Sequence, residues 1–464
     1  MMRSARVAWV CWAALSLFVA ASLWLIYLRF GMEGFGVFIQ QPPLINLPVT
    51  LASTALLWLS AGVLLYLLQA GRIGSYNLLT VSGLFVVCWV YLNFLSERWR
   101  YGDYSYYLEA ARSLNLHQPL PATYFYPPLW ATLLQYLVPA GEDTFFLVLW
   151  LLDFASFIAF YILLHRVLQR YGFTVRLAAV VTTVFMLANA PLLRTLVYVQ
   201  VNLHTLDLIL LALLWYPKRL FLSALMLALA VHLKGSPAIV LLAFLLEKDW
   251  RWLGWFVFSL VLVAGITVLT DGLPPFLQVL QHWQALQVSS NTIFHDTSFD
   301  SFLRFGAPWL QINLVWTRVM IYAAKALLIG ATIVVMIGAA ARRPFYGGTD
   351  AGDRLLNAMP PVLVAMTLAA PVVWEHHGVF VALSFLVMLK RLETPHEWLW
   401  FGFAYLLEFL LPTFDFFPWS FGRLVAPLIV LWQMWRTLPR VADSTVFSRL
   451  NLWFERLPVL GSPA

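Results

Sequence analysis

The sequence carries very little charge for its length. Of its 464 residues, 11% are Asp, Glu, Lys or Arg, whereas 62% are hydrophobic. A soluble globular chain has about 25% charged and roughly 45–50% apolar residues. The composition therefore excludes a cytosolic enzyme, a nucleic-acid-binding module and a disordered regulator, and it indicates a membrane protein.

Cysteine is scarce as well. The two cysteines, Cys11 and Cys88, both lie inside apolar runs. This arrangement excludes a disulfide framework and a Cys-x-x-Cys metal site. The sequence also lacks an internal repeat, a low-complexity tract and a separate soluble domain, so we expect one integral-membrane architecture.

Long apolar runs fill most of the chain. A spanning helix needs about 20 apolar residues, and several runs here are shorter and would have to tilt or extend into their flanks. We predict an all-α integral membrane protein with about 14 spans and interfacial helices in its outer loops. The predicted spans are 7–28, 48–70, 77–96, 143–164, 177–193, 201–216, 219–233, 236–247, 252–270, 322–341, 356–373, 378–390, 397–412 and 421–435.

The distribution of Lys and Arg predicts the orientation. Most of the 29 Lys and Arg residues fall in one set of alternate loops, and cytoplasmic loops carry such an excess. Both termini are therefore predicted to be cytoplasmic. We divide the chain into two additional helices at 1–76, a membrane domain at 77–436 and a cytoplasmic tail at 437–464. The long loops 97–142 and 271–321 face outward, and we expect the chemistry at the outer face.

The first outer loop contains a candidate functional carboxylate. Tyr104, Tyr107, Leu108 and Ala111 share one helical face, which predicts an amphipathic helix with Asp103 at its N-terminal end. Aspartate is a common N-cap. A carboxylate at a membrane mouth is more often functional, and we favour that interpretation.

A diproline follows this helix. Pro127 and Pro128 prevent the helical conformation through Tyr126. We expect the chain to re-enter the membrane there, with its aromatic side chains at headgroup depth. A plain turn and an aromatic belt explain these residues equally well.

Polar side chains also interrupt apolar sequence farther along. Gln200 and Asn202 are costly in hydrocarbon unless paired, and a site role and interhelical hydrogen bonding explain them equally well. Lys234, in the hairpin tip at 232–237, and Arg194 lie on the side that is poor in positive charge. They suggest a fixed anionic partner, with snorkelling to the interface as the alternative.

Two further polar segments lie in outer loops. Glu375, His376 and His377 could bind a metal, shuttle protons or hydrogen-bond a phosphate. A metal site normally needs at least three convergent ligands, and adjacent histidines do not easily chelate one ion, so we favour the phosphate. We interpret most of the polar patch 291–298, which lies near Arg304, as a solvated loop.

The order of these motifs resembles glycosyltransferase family 87, which contains polyprenol-phosphate-mannose-dependent α-1,2-mannosyltransferases of the glycosyltransferase C superfamily. The resemblance covers residues 77–435. The sequence departs from the family pattern at Val199, where Gly is usual, at Val373, where Ser is usual, and at Glu375, where Asp is usual. The similar motifs are Asp103-Tyr104 with Ala110, Tyr126-Pro127-Pro128, Pro191-Leu192-Leu193-Arg194, Gln200-x-Asn202, Lys234-x-x-Pro237, an Asn/Ser–Arg loop, and Pro371-x-x-Trp374-Glu375-His376-His377.

The resemblance implies a glycosyltransferase C-type helical bundle in the cytoplasmic membrane. Such an enzyme moves a hexose, with mannose the first candidate, from a polyprenyl phosphate to a lipid or glycan acceptor at the outer leaflet, and inverts the anomeric centre. It implies that Asp103 is the general base. Because no Asp-x-Asp pair follows Asp103, we predict no metal and no other cofactor. The implied donor-phosphate ligands are Lys234, Arg194, Arg304, His376 and His377, and the implied substrate-binding residues are Tyr104, Tyr126, Gln200, Asn202, Trp374 and Glu375.

Two non-enzymatic alternatives remain. A secondary transporter or flippase of lipid-linked envelope precursors would have ionisable residues near the midplane, broken helices in both halves and an internal repeat. The sequence instead gathers polar residues at one face. A scaffold subunit of an envelope-assembly complex would not need the Asp103 carboxylate.

Overall fold

The computed structural model describes residues 75–95, 102–288, 296–341, 352–411, 421–440 and 442–456, with isolated positions between 13 and 66. These residues form helices joined by short turns, and no strand occurs among them. The predicted all-α class is thereby confirmed. The predicted spans 7–28 and 48–70 lie, apart from those isolated positions, outside the described residues.

The helices follow one another closely along the chain. Short 3₁₀ segments occur at Gln135–Ala140, Ser236–Val240 and Glu375–Val381, and a π-helical turn occurs at Leu406–Leu410. In chain order, the α-helices are α1 (Ser75–Leu95), α2 (Tyr104–Asn115), α3 (Leu129–Leu134), α4 (Glu142–Arg170), α5 (Val175–Leu187), α6 (Ala190–Val197), α7 (Asn202–Trp215), α8 (Leu220–Leu233), α9 (Leu241–Leu245), α10 (Trp250–Asp271), α11 (Pro274–Val288), α12 (Phe299–Trp309), α13 (Leu314–Ala340), α14 (Asp353–Leu368), α15 (Ala382–Met388), α16 (Pro395–Tyr405), α17 (Gly422–Thr437) and α18 (Thr445–Arg456).

The chain forms two compact units. The first comprises Met1–Arg100, Thr174–Leu187 and Leu452–Ala464, and in it α1 packs on α5. The Tyr91 hydroxyl donates a hydrogen bond of 2.6 Å to the carbonyl oxygen of Met186. The second unit comprises Tyr101–Phe173 and Ala188–Asn451, and it contains every candidate site residue.

Three helices of the described ranges, α4, α10 and α13, are long and apolar enough to cross a membrane. The 29 residues of α4 rise about 43 Å, more than the roughly 30 Å of a hydrocarbon core. Large apolar side chains project outward from these helices: Leu269 is 90% exposed and Leu327 is 74% exposed. An apolar surface of this kind is suited to lipid, so the chain is a membrane protein.

Further apolar helices are shorter, with 10–17 residues each. Helices α7 and α8, at 14 residues, rise about 21 Å, less than a full hydrocarbon core. The total of about 14 spans therefore stays a prediction.

Buried polar pairs join α4 to α7 in the second unit. The Ser156 hydroxyl donates to Asp207 Oδ2 at 2.6 Å, and His204 Nε2 lies 3.2 Å from Asp153 Oδ1. Asp153 is only 2% exposed. A polar group in such a place is costly without a partner, so these contacts fix the position of the first turns of α7, where the candidate site begins.

Candidate functional site

Asp103 stands directly before α2, at the N-cap position, yet its side chain makes no capping hydrogen bond. Its carboxylate oxygen Oδ2 accepts hydrogen bonds from Gln200 Nε2 and, at 3.3 Å, from the Tyr126 hydroxyl. The N-cap explanation for this aspartate is therefore wrong. The carboxylate instead belongs to a buried polar cluster.

Helix α2 has the amphipathic pattern that the sequence predicts. Tyr107, Leu108 and Ala111 are buried, whereas Tyr106 is 43% exposed. Tyr104 is partly buried and packs edge-to-face on Phe146, with ring centroids 5.2 Å apart. The buried face thus anchors α2 and fixes the position of Asp103 at its start.

The turn before α7 approaches the start of α2 very closely. The Asp103 backbone N–H donates to the carbonyl oxygen of Tyr198 at 2.8 Å. Gly102 has φ +119°, and a Cβ there would lie 2.3 Å from the Tyr198 Cα. Only glycine fits this position, because both its φ and the close approach exclude a side chain.

Val199 lies in the same turn with φ +55°. A β-branched residue is a genuine outlier in the left-handed region, and such backbone strain costs on the order of 1–3 kcal/mol. The family resemblance places a glycine here, which would adopt this φ without strain. The strained turn carries the next residue, Gln200, to the Asp103 carboxylate.

The environment of Asp103 favours proton acceptance. Burial raises the pKa of the Asp103 carboxyl above its usual value. Hydrogen bonds from Gln200 and Tyr126, together with the nearby charge of Lys234, act in the opposite direction. A carboxylate with a raised pKa is a stronger base than an exposed one.

Lys234 follows α8 and points into the same cluster. Its Nζ donates to Asn202 Oδ1 at 2.5 Å and lies 2.7 Å from His377 Nε2. The ammonium also lies 5.9 Å from the centre of the Tyr126 ring and 5.5 Å from that of Phe380, within cation–π range. The snorkelling alternative is therefore wrong for this lysine. Burial lowers the pKa of Lys234 to about 7, although Asp103 acts to raise it.

Asn202 connects the start of α7 to the histidine segment. It is 0% exposed, and its Nδ2 donates to the carbonyl oxygen of His376 at 3.3 Å. The Thr195 hydroxyl is 3.2 Å from the same oxygen. Asn202 thus hydrogen-bonds to a neighbouring segment and also contacts Lys234 in the polar cluster. Interhelical hydrogen bonding and a site role are therefore compatible explanations for this residue.

The two histidines stack on each other, with ring centroids 4.7 Å apart. His377 Nε2 lies 2.7 Å from Lys234 Nζ. Its Nδ1 accepts a hydrogen bond from the Trp374 backbone N–H at 2.9 Å and lies 3.2 Å from the Trp374 carbonyl oxygen. The Trp374 backbone therefore fixes the orientation of the ring that lies against the lysine.

Glu375 faces two arginines. Its Oε1 lies 3.0 Å from Arg423 Nη2, and its Oε2 lies 3.6 Å from Arg194 Nε. The Arg194 guanidinium also lies 5.9 Å from the Tyr198 ring centre. No local sequence pattern indicates a role for Arg423, because its partner lies 48 residues away along the chain.

The segment Asp296–Ser298 forms hydrogen bonds with Val373, the residue before Trp374. Asp296 Oδ1 accepts from the Val373 backbone N–H at 2.8 Å, and the Thr297 backbone N–H donates to the Val373 carbonyl oxygen at 2.7 Å. Thr297 and Ser298 are buried. The solvated-loop interpretation is therefore wrong for these residues, while 291–295 lie outside the described residues. Arg304 is partly buried on α12.

Several buried ionisable groups are not among the candidate residues that the sequence motifs indicate. Asp153, His204 and Asp207 lie inside predicted spans, and Glu408 occupies the π-helical turn after α16 at 2% exposure. An ionisable residue within an apolar run is the signal that would have found them. Over the described ranges, no group of three or more His, Cys, Asp and Glu side chains is arranged to hold a metal ion.

Membrane-spanning helices and a buried cluster of one carboxylate, one lysine and their amide and imidazole partners define a membrane protein with a candidate active site. The model of glycosyltransferase family 87 matches residues 124–371, more than half of the chain, and the chain belongs to this family. It is therefore a glycosyltransferase. The search of curated proteins finds no match.

Proposed function

We propose that this glycosyltransferase moves a hexose, with mannose the first candidate, from a polyprenyl-phosphate donor to a lipid or glycan acceptor. The reaction takes place at the outer face of the cytoplasmic membrane and inverts the anomeric centre. The proposed architecture is a glycosyltransferase C-type bundle with about 14 spans. Membership of family 87 supports an enzyme over a transporter or a scaffold subunit.

The observation that carries the proposal is the approach of Asp103 and Lys234 in one cluster. The Tyr126 hydroxyl donates to the Asp103 carboxylate, and its ring lies 5.9 Å from Lys234 Nζ. Inverting transfer from a sugar phosphate needs a base on one side of C1 and a cation beside the leaving phosphate. This cluster contains one group of each kind.

In the proposed mechanism, Asp103 accepts the proton of the acceptor hydroxyl while that oxygen attacks C1. The new C1–O bond forms as the C1–O bond to phosphate breaks, and the electron pair leaves with the polyprenyl phosphate. A positioned general base contributes typically 10²–10⁴-fold to the rate. The raised pKa of Asp103 suits it to this step.

Lys234 stabilises the charge that grows on the leaving phosphate. Asn202 and His377 hold its ammonium in a buried environment, where a fixed charge is worth more than in water. We propose His376 and Arg304 as further donor ligands. The Arg194 guanidinium faces Glu375 in the structure. We propose that it binds the donor phosphate when the phosphate competes with Glu375 for it.

A donor panel tests the function directly. The purified full-length chain is incubated with polyprenyl-phosphate hexoses and pentoses and a mixture of envelope lipids and glycans. We expect transfer from a hexosyl donor, loss of that transfer in Asp103→Asn, and an unchanged unfolding temperature for that variant. Near-normal turnover by Asp103→Asn would remove the aspartate from the mechanism, and transfer from nucleotide sugars alone would overturn the donor class.

A further inference from the structure

Gln200 is fully enclosed, with 0% of its surface exposed. Its Nε2 donates to Asp103 Oδ2, and its Oε1 accepts from the Tyr126 hydroxyl at 3.0 Å. Both ends of the amide are therefore engaged inside the protein. A side chain so placed has no free surface with which to bind a sugar or a phosphate.

The hydrogen bonds to the carboxylate are unequally distributed. Gln200 Nε2 donates to Oδ2, and the single proton of the Tyr126 hydroxyl is shared between Oδ2 at 3.3 Å and Gln200 Oε1 at 3.0 Å, whereas no described group donates to Oδ1. The two oxygens of Asp103 thus differ in character: Oδ2 faces the Gln200 amide and the shared Tyr126 proton, and Oδ1 retains its lone pairs.

The backbone of the same turn fixes the other end of the residue. The Asp103 N–H is held by the Tyr198 carbonyl at 2.8 Å, and Gly102 allows the close approach of the two chains. Residues 198–200 therefore hydrogen-bond to Asp103 at both its backbone and its side chain. These two contacts leave the carboxylate little rotational freedom.

We propose that Gln200 and Tyr126 are positioning residues for Asp103, which hold Oδ2 so that Oδ1 receives the proton of the acceptor hydroxyl. This inference rests on the proposed function, in which Asp103 is the base. It assigns to both side chains a role that acts through Asp103, in place of direct contact with substrate.

The inference predicts a specific pH effect. Hydrogen bonds to a carboxylate favour its charged form, so removal of a donor raises the pKa of Asp103. The other groups that face it are Lys234, which favours the charged form, and Tyr107. Because the base works deprotonated, the acid limb of kcat/KM moves to higher pH.

The test compares Gln200→Ala and Tyr126→Phe with a matched control, Gln135→Ala. Gln135 is also a buried glutamine, 7% exposed, and its Nε2 donates to Asp271 Oδ1 at 2.9 Å. We expect the acid limb of kcat/KM to move up by about one pH unit in Gln200→Ala, which lowers kcat/KM a further tenfold at pH values below the limb. The limb should move by less in Tyr126→Phe. Gln135→Ala should leave the limb where it is.

The outcomes separate the two proposals. An equal loss of kcat/KM at every pH in both variants would overturn the positioning role while leaving Asp103 as the base. An active Asp103→Asn enzyme would overturn the base itself. If Gln200→Ala fails to fold, Tyr126→Phe decides alone, since it removes one oxygen atom and keeps the ring that packs on Tyr107 at 5.3 Å.

Discussion

Donor binding should depend on the protonation of Lys234. Burial lowers the pKa of this lysine to about 7, from an ordinary value near 10.4. This pKa shift corresponds to a free-energy penalty on the order of 5 kcal/mol for the charged form of the buried side chain. An anionic phosphate beside Nζ would restore the charge, so donor binding is coupled to proton uptake above pH 7.

The sign and size of the effect follow from that coupling. Below pH 7 the free enzyme already carries the ammonium, and KM for the donor should be flat. Above pH 7 the ammonium is progressively lost, so KM should rise about tenfold per pH unit. Steady-state kinetics with the donor varied between pH 6 and 9 measure this slope.

Two variants of Lys234 serve as controls. Arginine stays protonated in proteins, so Lys234→Arg should remove the slope even if its larger head lowers the rate. Lys234→Met should raise KM at all pH values and also remove the slope. A wild-type KM that stays constant from pH 6 to 9 would refute the reasoning, as would an unchanged slope in Lys234→Met.

Three further predictions concern the structure around the site. Gly102→Ala should abolish turnover, because the new Cβ would lie 2.3 Å from the Cα of Tyr198. The control Gly254→Ala should be active, because no atom lies within 4 Å of the position that its Cβ would occupy. His204→Ala should lower the free energy of unfolding by about 1–3 kcal/mol, since it removes the neighbour of a buried carboxyl group. Val199→Gly should change the free energy of unfolding by under about 1 kcal/mol. Relief of about 1–3 kcal/mol of backbone strain offsets the roughly 1.5–3 kcal/mol lost with the buried side chain. The control Val201→Gly, at φ −64°, loses the buried side chain without relief of strain and should destabilise the protein more.

Turnover assays and unfolding in detergent micelles check these three predictions. An active Gly102→Ala enzyme would mean that the two turns separate at little cost. A small effect of His204→Ala would show that the buried carboxylate has other support. Equal destabilisation by the two valine-to-glycine changes would show that the left-handed turn stores no strain.

The sequence was informative where local pattern decides the structure. The apolar face of α2 follows from helical periodicity, and the buried Tyr107 and Ala111 confirm it. The alternation of apolar runs also predicts Lys234 and His377 on hairpin tips at the outer face, and that face stays a prediction. The structure then brings both side chains to one point, 2.7 Å apart.

The partners of these groups depend on tertiary contacts that no local pattern encodes. Gln200 reaches Asp103 across 97 residues of chain, and it does so through a left-handed turn at Val199, a residue type that predicts extended backbone. In the sequence, Asp296 resembles a solvated loop residue, whereas in the structure its carboxylate accepts a hydrogen bond from the Val373 N–H. Hydrogen bonding of this kind is decided by which backbone groups folding leaves without a partner.

The arrangement of the two central charges has a chemical consequence. Asp103 and Lys234 are near enough for each to shift the pKa of the other, yet each has a neutral amide as its immediate partner, Gln200 for the carboxylate and Asn202 for the ammonium. A direct ion pair in a buried site would bind both charges strongly to each other and would leave neither a free base nor a free phosphate ligand. Neutral partners satisfy the hydrogen-bonding needs of both groups without cancelling their charges. The pair of amides thereby keeps a carboxylate and a cation available within one site, which is the combination that the proposed transfer from a sugar phosphate needs.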